Sequence, residues 1–174
     1  FITLLLIFLA LHISASNNVV YNIKDFGAKG DGKQIDSPAI NNAIEKAAEE
    51  GGGTIYFPAG TYLSYSIRLK SNITLHLDAG CTLLAAYPEE ASGFDIAEEN
   101  EHNKFQDFGH SHWRNSLIWG IGLEYVTISG QGMIDGRGLT REESRLPGVG
   151  NKAISLKLCK NVILRDITMV NCGH

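Results

Sequence analysis

Residues 20–63 constrain the fold most: one short amphipathic helix is followed at once by closely spaced strands, and no second helical pattern comes after it. Ser37 before Pro38 marks a helix start, a short acceptor side chain at the N-cap and then a proline whose missing N–H costs nothing in the first turn. Ile40, Ala43, Ile44, Ala47 and Ala48 recur at helical spacing, while Asn41, Asn42, Glu45, Lys46 and Glu49 fall on the other side. Gly51, Gly52 and Gly53 end the element. A helix with one apolar stripe must lie on something. Only strands follow, so the pattern predicts a cap laid over the open end of a stacked sheet, where it covers an edge that would otherwise pair with other chains.

Strands are predicted at 54–57, 61–65, 67–69, 73–77, 82–85, 117–121, 125–128, 133–135, 153–158, 162–164 and 167–170, separated by Gly, Asn and Asp. Three segments share one pattern: SNITLHLDAGCTLLA from Ser71, EYVTISGQGMIDG from Glu124 and KNVILRDITMVN from Lys160. Each runs from a polar residue through a β-branched strand and a tight polar turn into a second strand. Ile73, Val126 and Val162 are 53 and then 36 residues apart, an irregularity that insertions on one side of a solenoid produce. Two insertions are visible, 87–116, rich in Glu, Asn, His and aromatics, and 137–152, rich in Gly and charge. Long loops on a rigid scaffold are where binding usually resides. A β-sandwich would show longer in/out alternation with hairpin turns, and an ordinary α/β sheet would need crossover helices. The expected fold is therefore all-β, a right-handed parallel β-helix with an N-terminal amphipathic capping helix.

A chain of 174 residues suits one domain. Residues 1–13 form an uncharged apolar run, and Ser14, Ala15 and Ser16 are the small residues of a signal-peptidase site. The run is shorter than the roughly 20 residues that span a bilayer. The expectation is part of a signal peptide at 1–16, the N-terminal part of a single β-helix domain at 17–174, a secreted, extracellular or cell-wall location and no membrane partner. Cys81, Cys159 and Cys172 are an odd number for an exported chain, and either a missing partner or burial as small hydrophobes accounts for them. Asn72-Ile73-Thr74 is a glycosylation sequon, usable at Asn72 in a eukaryotic secretory pathway. The net charge of −4 hides an asymmetry: residues 1–113 carry 7 Lys+Arg against 14 Asp+Glu, and 114–174 carry 8 against 5. No dense basic stripe interleaved with aromatics points to nucleic acid.

DFGAKGDGKQIDSPAINNAI with GGGTIYFPAGTY, then SNITLHLDAGCTLLA, SLIWGIGLEYVTISGQGMIDGRG and KAISLKLCKNVILRDITMVN, together resemble the N-terminal part of glycoside hydrolase family 28, the polygalacturonase-like family of the pectin-lyase-like superfamily. The first block is shared across the superfamily; the last two tilt the resemblance to family 28. It implies a secreted enzyme, monomeric when full length, that hydrolyses galacturonan or related pectin with inversion and without a cofactor. Inversion needs one protonated carboxyl for the leaving oxygen and a second carboxylate to activate water, roughly 6.5–9.5 Å apart. The family carries these in an Asn-Thr-Asp-like motif and an Asp-Asp pair, followed by Gly-His-Gly and Arg-Ile-Lys motifs. None of the four occurs in this sequence, so no catalytic residue carries over, and the expectation is the N-terminal part of a longer enzyme, inactive alone. A pectate or pectin lyase on the same scaffold, often calcium-dependent, and a non-catalytic carbohydrate-binding or adhesin module are the alternatives.

Candidate substrate contacts are Trp113, whose indole suits a sugar face, Arg137 and Arg141, whose guanidinium groups suit a polyanionic pectin, and the terminal His174. Arg145 and Lys152 extend the same basic rim. Trp119, in a strand, is expected to pack. Asp31 and Asp135 each precede glycine, as turn residues do, and Asp166 is read as a solvated corner. His102, His110 and His112 share a loop, but no further ligands at a convincing spacing join them, so no metal site is assigned.

Overall fold

The computed structural model describes residues 19–89, 93–101, 111–142 and 145–173; the expected signal segment, His102, His110 and His174 lie outside the described residues. The α-helix is α1 (Ser37–Glu49), and the described residues form thirteen strands: β1 (Val20–Asn22), β2 (Asp31–Ile35), β3 (Gly53–Phe57), β4 (Gly60–Ser64), β5 (Ile67–Arg68), β6 (Ile73–Leu77), β7 (Cys81–Ala85), β8 (Ser116–Ile121), β9 (Glu124–Gly130), β10 (Met133–Asp135), β11 (Lys152–Lys157), β12 (Lys160–Arg165) and β13 (Thr168–Val170). They form three parallel sheets: sheet A, β1-β3-β6-β9-β12; sheet B, β13-β10-β7-β4-β2; and sheet C, β11-β8-β5. Chain order runs C to A to B and returns to C one layer on, which is a right-handed parallel β-helix.

The irregular repeat is the coil register. Thr74 pairs with Thr127 and Val126 with Val162, spacings of 53 and 36 residues. Stacking in register puts like side chains into inward ladders: Tyr21, Ile55, Leu75, Ile128 and Leu164 in sheet A, and Tyr62, Leu83, Ile134 and Met169 in sheet B. Ile55, Leu75, Leu83 and Ile134 are fully buried, whereas Leu164 and Met169 on the last coil are 47% and 38% exposed.

At the other end, α1 closes the first coil through Ile40, Ala43, Ile44 and Ala47, all buried. Its start differs by one residue from the sequence expectation. Asp36, not Ser37, is the N-cap, with Pro38 in the first turn. The Asp36 carboxylate does not cap the helix; it accepts from the Lys29 and Gly30 N–H groups at 2.7 and 3.0 Å, tying the GAKGDG loop to the helix entrance. Asp31 is a turn residue as expected, its Oδ1 accepting from the Lys33 and Gln34 N–H groups at 2.9 Å. All three cysteines are free; burial pushes the Cys81 thiol up to about 12, so this one is packing rather than chemistry.

Candidate functional site

Sheet C is where the two long loops return, and its outward rung aligns Arg68, Trp119 and Ser155. Alternation sends Ile67 and Ile118 into the core and their neighbours Arg68 and Trp119 outward. Arg68 donates to both oxygens of Asp95, at 2.8 Å from Nε and 2.6 Å from a terminal nitrogen, and the Trp119 indole N–H donates to Asp95 at 2.8 Å. Asp95 is itself fixed by its backbone N–H, which donates to the Ser66 hydroxyl at 2.9 Å.

Trp113 stands beside this group. The Glu98 carboxylate accepts from the backbone N–H groups of Trp113, at 2.9 and 3.2 Å, and of Arg114, at 3.1 Å. The Glu98 carbonyl lies 2.8 Å from His112 Nδ1. The outgoing and returning arms of the 87–116 loop are thus clamped together, and the clamp sets the indole. Lys157 Nζ lies 3.8 Å above the Trp113 ring, and the Arg114 guanidinium carbon lies 5.6 Å from the Trp119 ring centre, both within cation–π range. The loop is anchored below by Phe94, which meets Tyr65 edge-on at 5.4 Å and pairs with Gly148 of the second loop through a 2.9 Å backbone hydrogen bond.

The result is a platform of two half-buried indoles with three cations, Arg68, Arg114 and Lys157, around it. Its two carboxylates are engaged, Asp95 by Arg68 and Trp119 and Glu98 by backbone N–H groups. Such a surface offers apolar faces for sugar rings and positive charge for an acidic polymer. Neither carboxylate is placed as a proton donor, and among the described residues no three His, Cys, Asp or Glu side chains converge as metal ligands.

Among the described residues, Trp113 is the one candidate substrate contact that the structure brings to this platform. Arg137 begins the second loop where the chain leaves sheet B, and is paired through Nε at 2.9 Å and a terminal nitrogen with buried Asp135. Arg141 is exposed on the second loop, His174 is outside the described residues, and Asn72 is exposed at the turn into β6. Lys152 is buried, its Nζ donating to Asn151 at 2.7 Å. Trp119, expected to pack, presents its indole to Asp95. Sequence reading missed Arg68, Asp95, Glu98, Arg114 and Lys157; alternation hinted at Arg68 and Lys157, but only the coil register aligns them.

Asp135 does more than end a strand. Its carboxylate also accepts from the Arg137 backbone N–H at 3.1 Å and from Asn171 Nδ2 at 3.0 Å, joining the last two coils. Burial alone would raise its pKa, but the Arg137 and Asn171 hydrogen bonds outweigh that and hold the carboxyl below its usual range. A lowered folded-state pKa stabilises above the unfolded value, about 4, and that stabilisation is lost as pH falls through the folded value. Asp135→Asn is therefore expected to lower the urea midpoint clearly at pH 6 and much less at pH 3. An unchanged gap across that range would show that the carboxylate's charge contributes nothing.

The sequence model of the rhamnogalacturonase A/epimerase, pectate lyase-like family matches residues 20–117. Among curated proteins the chain is 34% identical over 122 residues to a probable polygalacturonase of Vitis vinifera, covering 67% of this chain and 24% of that protein. It is 32% identical over 156 residues to the exo-poly-alpha-D-galacturonosidase of Dickeya chrysanthemi, covering 83% and 25%. It is 34% identical over 166 residues to plasmin and fibronectin-binding protein A of Streptococcus pneumoniae, covering 88% and 21%. The chain thus spans a quarter or less of these relatives. The Thermotoga maritima exopolygalacturonase has the same fold, with a TM-score of 0.67 at 23% identity over 89% of this chain and 42% of that one.

Proposed function

Because the chain belongs to the rhamnogalacturonase A/epimerase, pectate lyase-like family, we propose that it forms the N-terminal, substrate-holding coils of a polygalacturonase-like glycoside hydrolase. The substrate is galacturonan or a related pectin, cleaved by inverting hydrolysis, with the catalytic aspartates on coils outside this chain. The observation that carries this reading is the sheet C platform, where Lys157 sits on Trp113 and Arg114 beside Trp119. Indoles bind the apolar faces of sugar rings, and the cations meet ring carboxylates. The relatives described as a probable polygalacturonase and an exo-poly-alpha-D-galacturonosidase support the substrate class. Asp95 and Glu98 hold the platform together and take no part in proton transfer. The protein works outside the cell, a reading that the apolar run at 1–13 supports.

The 174-residue chain is expected to be retarded in a gel cast with polygalacturonate and to release no reducing ends from it. Turnover would overturn the placement of the aspartates outside the chain, and unretarded migration would overturn the substrate class.

A second reading is a non-catalytic surface module, favoured by the 88% of this chain that aligns with the pneumococcal plasmin and fibronectin-binding protein. Retention on immobilised fibronectin that oligogalacturonate does not compete away would favour it.

A further inference from the structure

The outward face of sheet A carries a second groove, one sheet away from the platform. Its volume is about 740 Å³, and a smaller hollow of about 290 Å³ shares His76, Ser129 and Arg165 with it and reaches the turn toward sheet B. Two outward rungs build the floor. One aligns Thr54, Thr74 and Thr127; the other aligns Tyr56, His76, Ser129 and Arg165.

The second rung has a gap in it. Tyr56 and His76 stack at 6.0 Å with their rings 17° apart, and the Tyr56 hydroxyl donates to Asp78 at 2.5 Å, which fixes the pair. The next residue is Ser129, 6% exposed and too short to cover the far face of the imidazole. Beyond it stands Arg165. His76 and Arg165 are two strand spacings apart, about 9.6 Å, which leaves a slot for one ring about 4 Å thick between two van der Waals contacts. Hydroxyl groups line the middle of the floor, with exposed Val20 and Ile163 closing the two ends of the threonine rung. Arg165 faces Asp166 at 4.0 Å, and Asp78 lies at the same end, so the slot sets one cation against two carboxylates and disfavours an acidic unit, whereas the platform sets three cations against two.

We propose that this slot is a second saccharide site that takes an uncharged pyranose unit. One ring face stacks on His76, and the vicinal hydroxyls bond to Ser129, Arg165 and Asp78. The inference extends the proposed function but does not depend on the sheet C platform. It predicts that the two faces sort the same polymer by charge, acidic units on sheet C and esterified or neutral ones on sheet A.

The probe is methyl-esterified tetragalacturonate, with the free acid as the comparison. The imidazole C–H signals of His76, assigned by their absence from His76→Ala, are expected to shift saturably with the ester and several-fold less with the acid. Ser129→Phe, which fills the slot, and Arg165→Ala should each weaken the ester about tenfold, with unchanged far-UV circular dichroism. Trp113→Ala should leave the ester-induced shifts of the His76 signals intact. Unmoved His76 signals at saturating ester, or equal loss of those shifts in Trp113→Ala, would overturn the second site. Loss of acid binding alone would bear on the platform and leave this site standing.

Discussion

Gly130→Ala is expected to lower the thermal unfolding midpoint of this chain sharply. Gly130 ends β9 with φ at +119°, and a Cβ built there would lie 1.9 Å from the Leu77 carbonyl oxygen and 2.7 Å from its carbonyl carbon. Both atoms are backbone of the paired strand β6, so no side chain can move aside. The strands must separate at the point where sheet A turns toward sheet B. The expected loss exceeds about 3 kcal/mol, or roughly 10 °C in Tm for a domain of this size. Gly122→Ala is the matched control: φ is +68° there, but nothing lies within 4 Å of the new Cβ. It should cost only the left-handed backbone penalty, about 1–2 kcal/mol. Equal losses in the two variants would mean that close coil stacking at Gly130 is not what holds sheet A together.

The largest effect on binding is expected from Trp113→Ala, which removes both an indole face and the ring beneath the Lys157 ammonium. Affinity for tetragalacturonate should fall about 10- to 30-fold, from lost stacking and cation–π energy. Lys157→Ala should cost about fivefold at low ionic strength and less in high salt, because exposed charges are screened. The double variant should fall short of the product of the two, since Lys157 and Trp113 touch and their contributions couple. Isothermal titration at two salt concentrations checks all three. Additive losses would separate the two side chains and dissolve the platform into independent contacts.

Much of the fold was legible because its elements are periodic. The stripe from Ile40 to Ala47 announced the cap, and all eleven expected strands are present. β1 and β2 were not legible. β1 is only three residues long, and β2 (Asp31–Ile35) is mostly polar; each is a strand because β3 or β4 pairs with it, so tertiary pairing overrides local preference. The N-cap was misplaced for a similar reason, since Asp36 is drawn away by two backbone donors from the preceding loop. The 53- and 36-residue spacings, which hide a period, are the coil lengths themselves.

The site was less legible. Trp113 could be named because an aromatic in a long polar loop needs a reason to be there. Arg68, Trp119 and Ser155 meet only through register across three coils, and loops of different length between coils conceal that alignment. Arg137, named for its charge, is bound two residues away to Asp135, a pairing that the adjacent letters Asp-Gly-Arg do not reveal.

Both tryptophans of the chain, Trp113 and Trp119, lie on the sheet C platform, so tryptophan fluorescence, excited beyond the tyrosine absorption band, reports on that face. Titration with tetragalacturonate is expected to change the emission saturably, with a midpoint that rises with salt and a response largely lost in Trp113→Ala. Unchanged emission, while calorimetry shows the same ligand bound, would place the acidic sugar elsewhere and contradict the account.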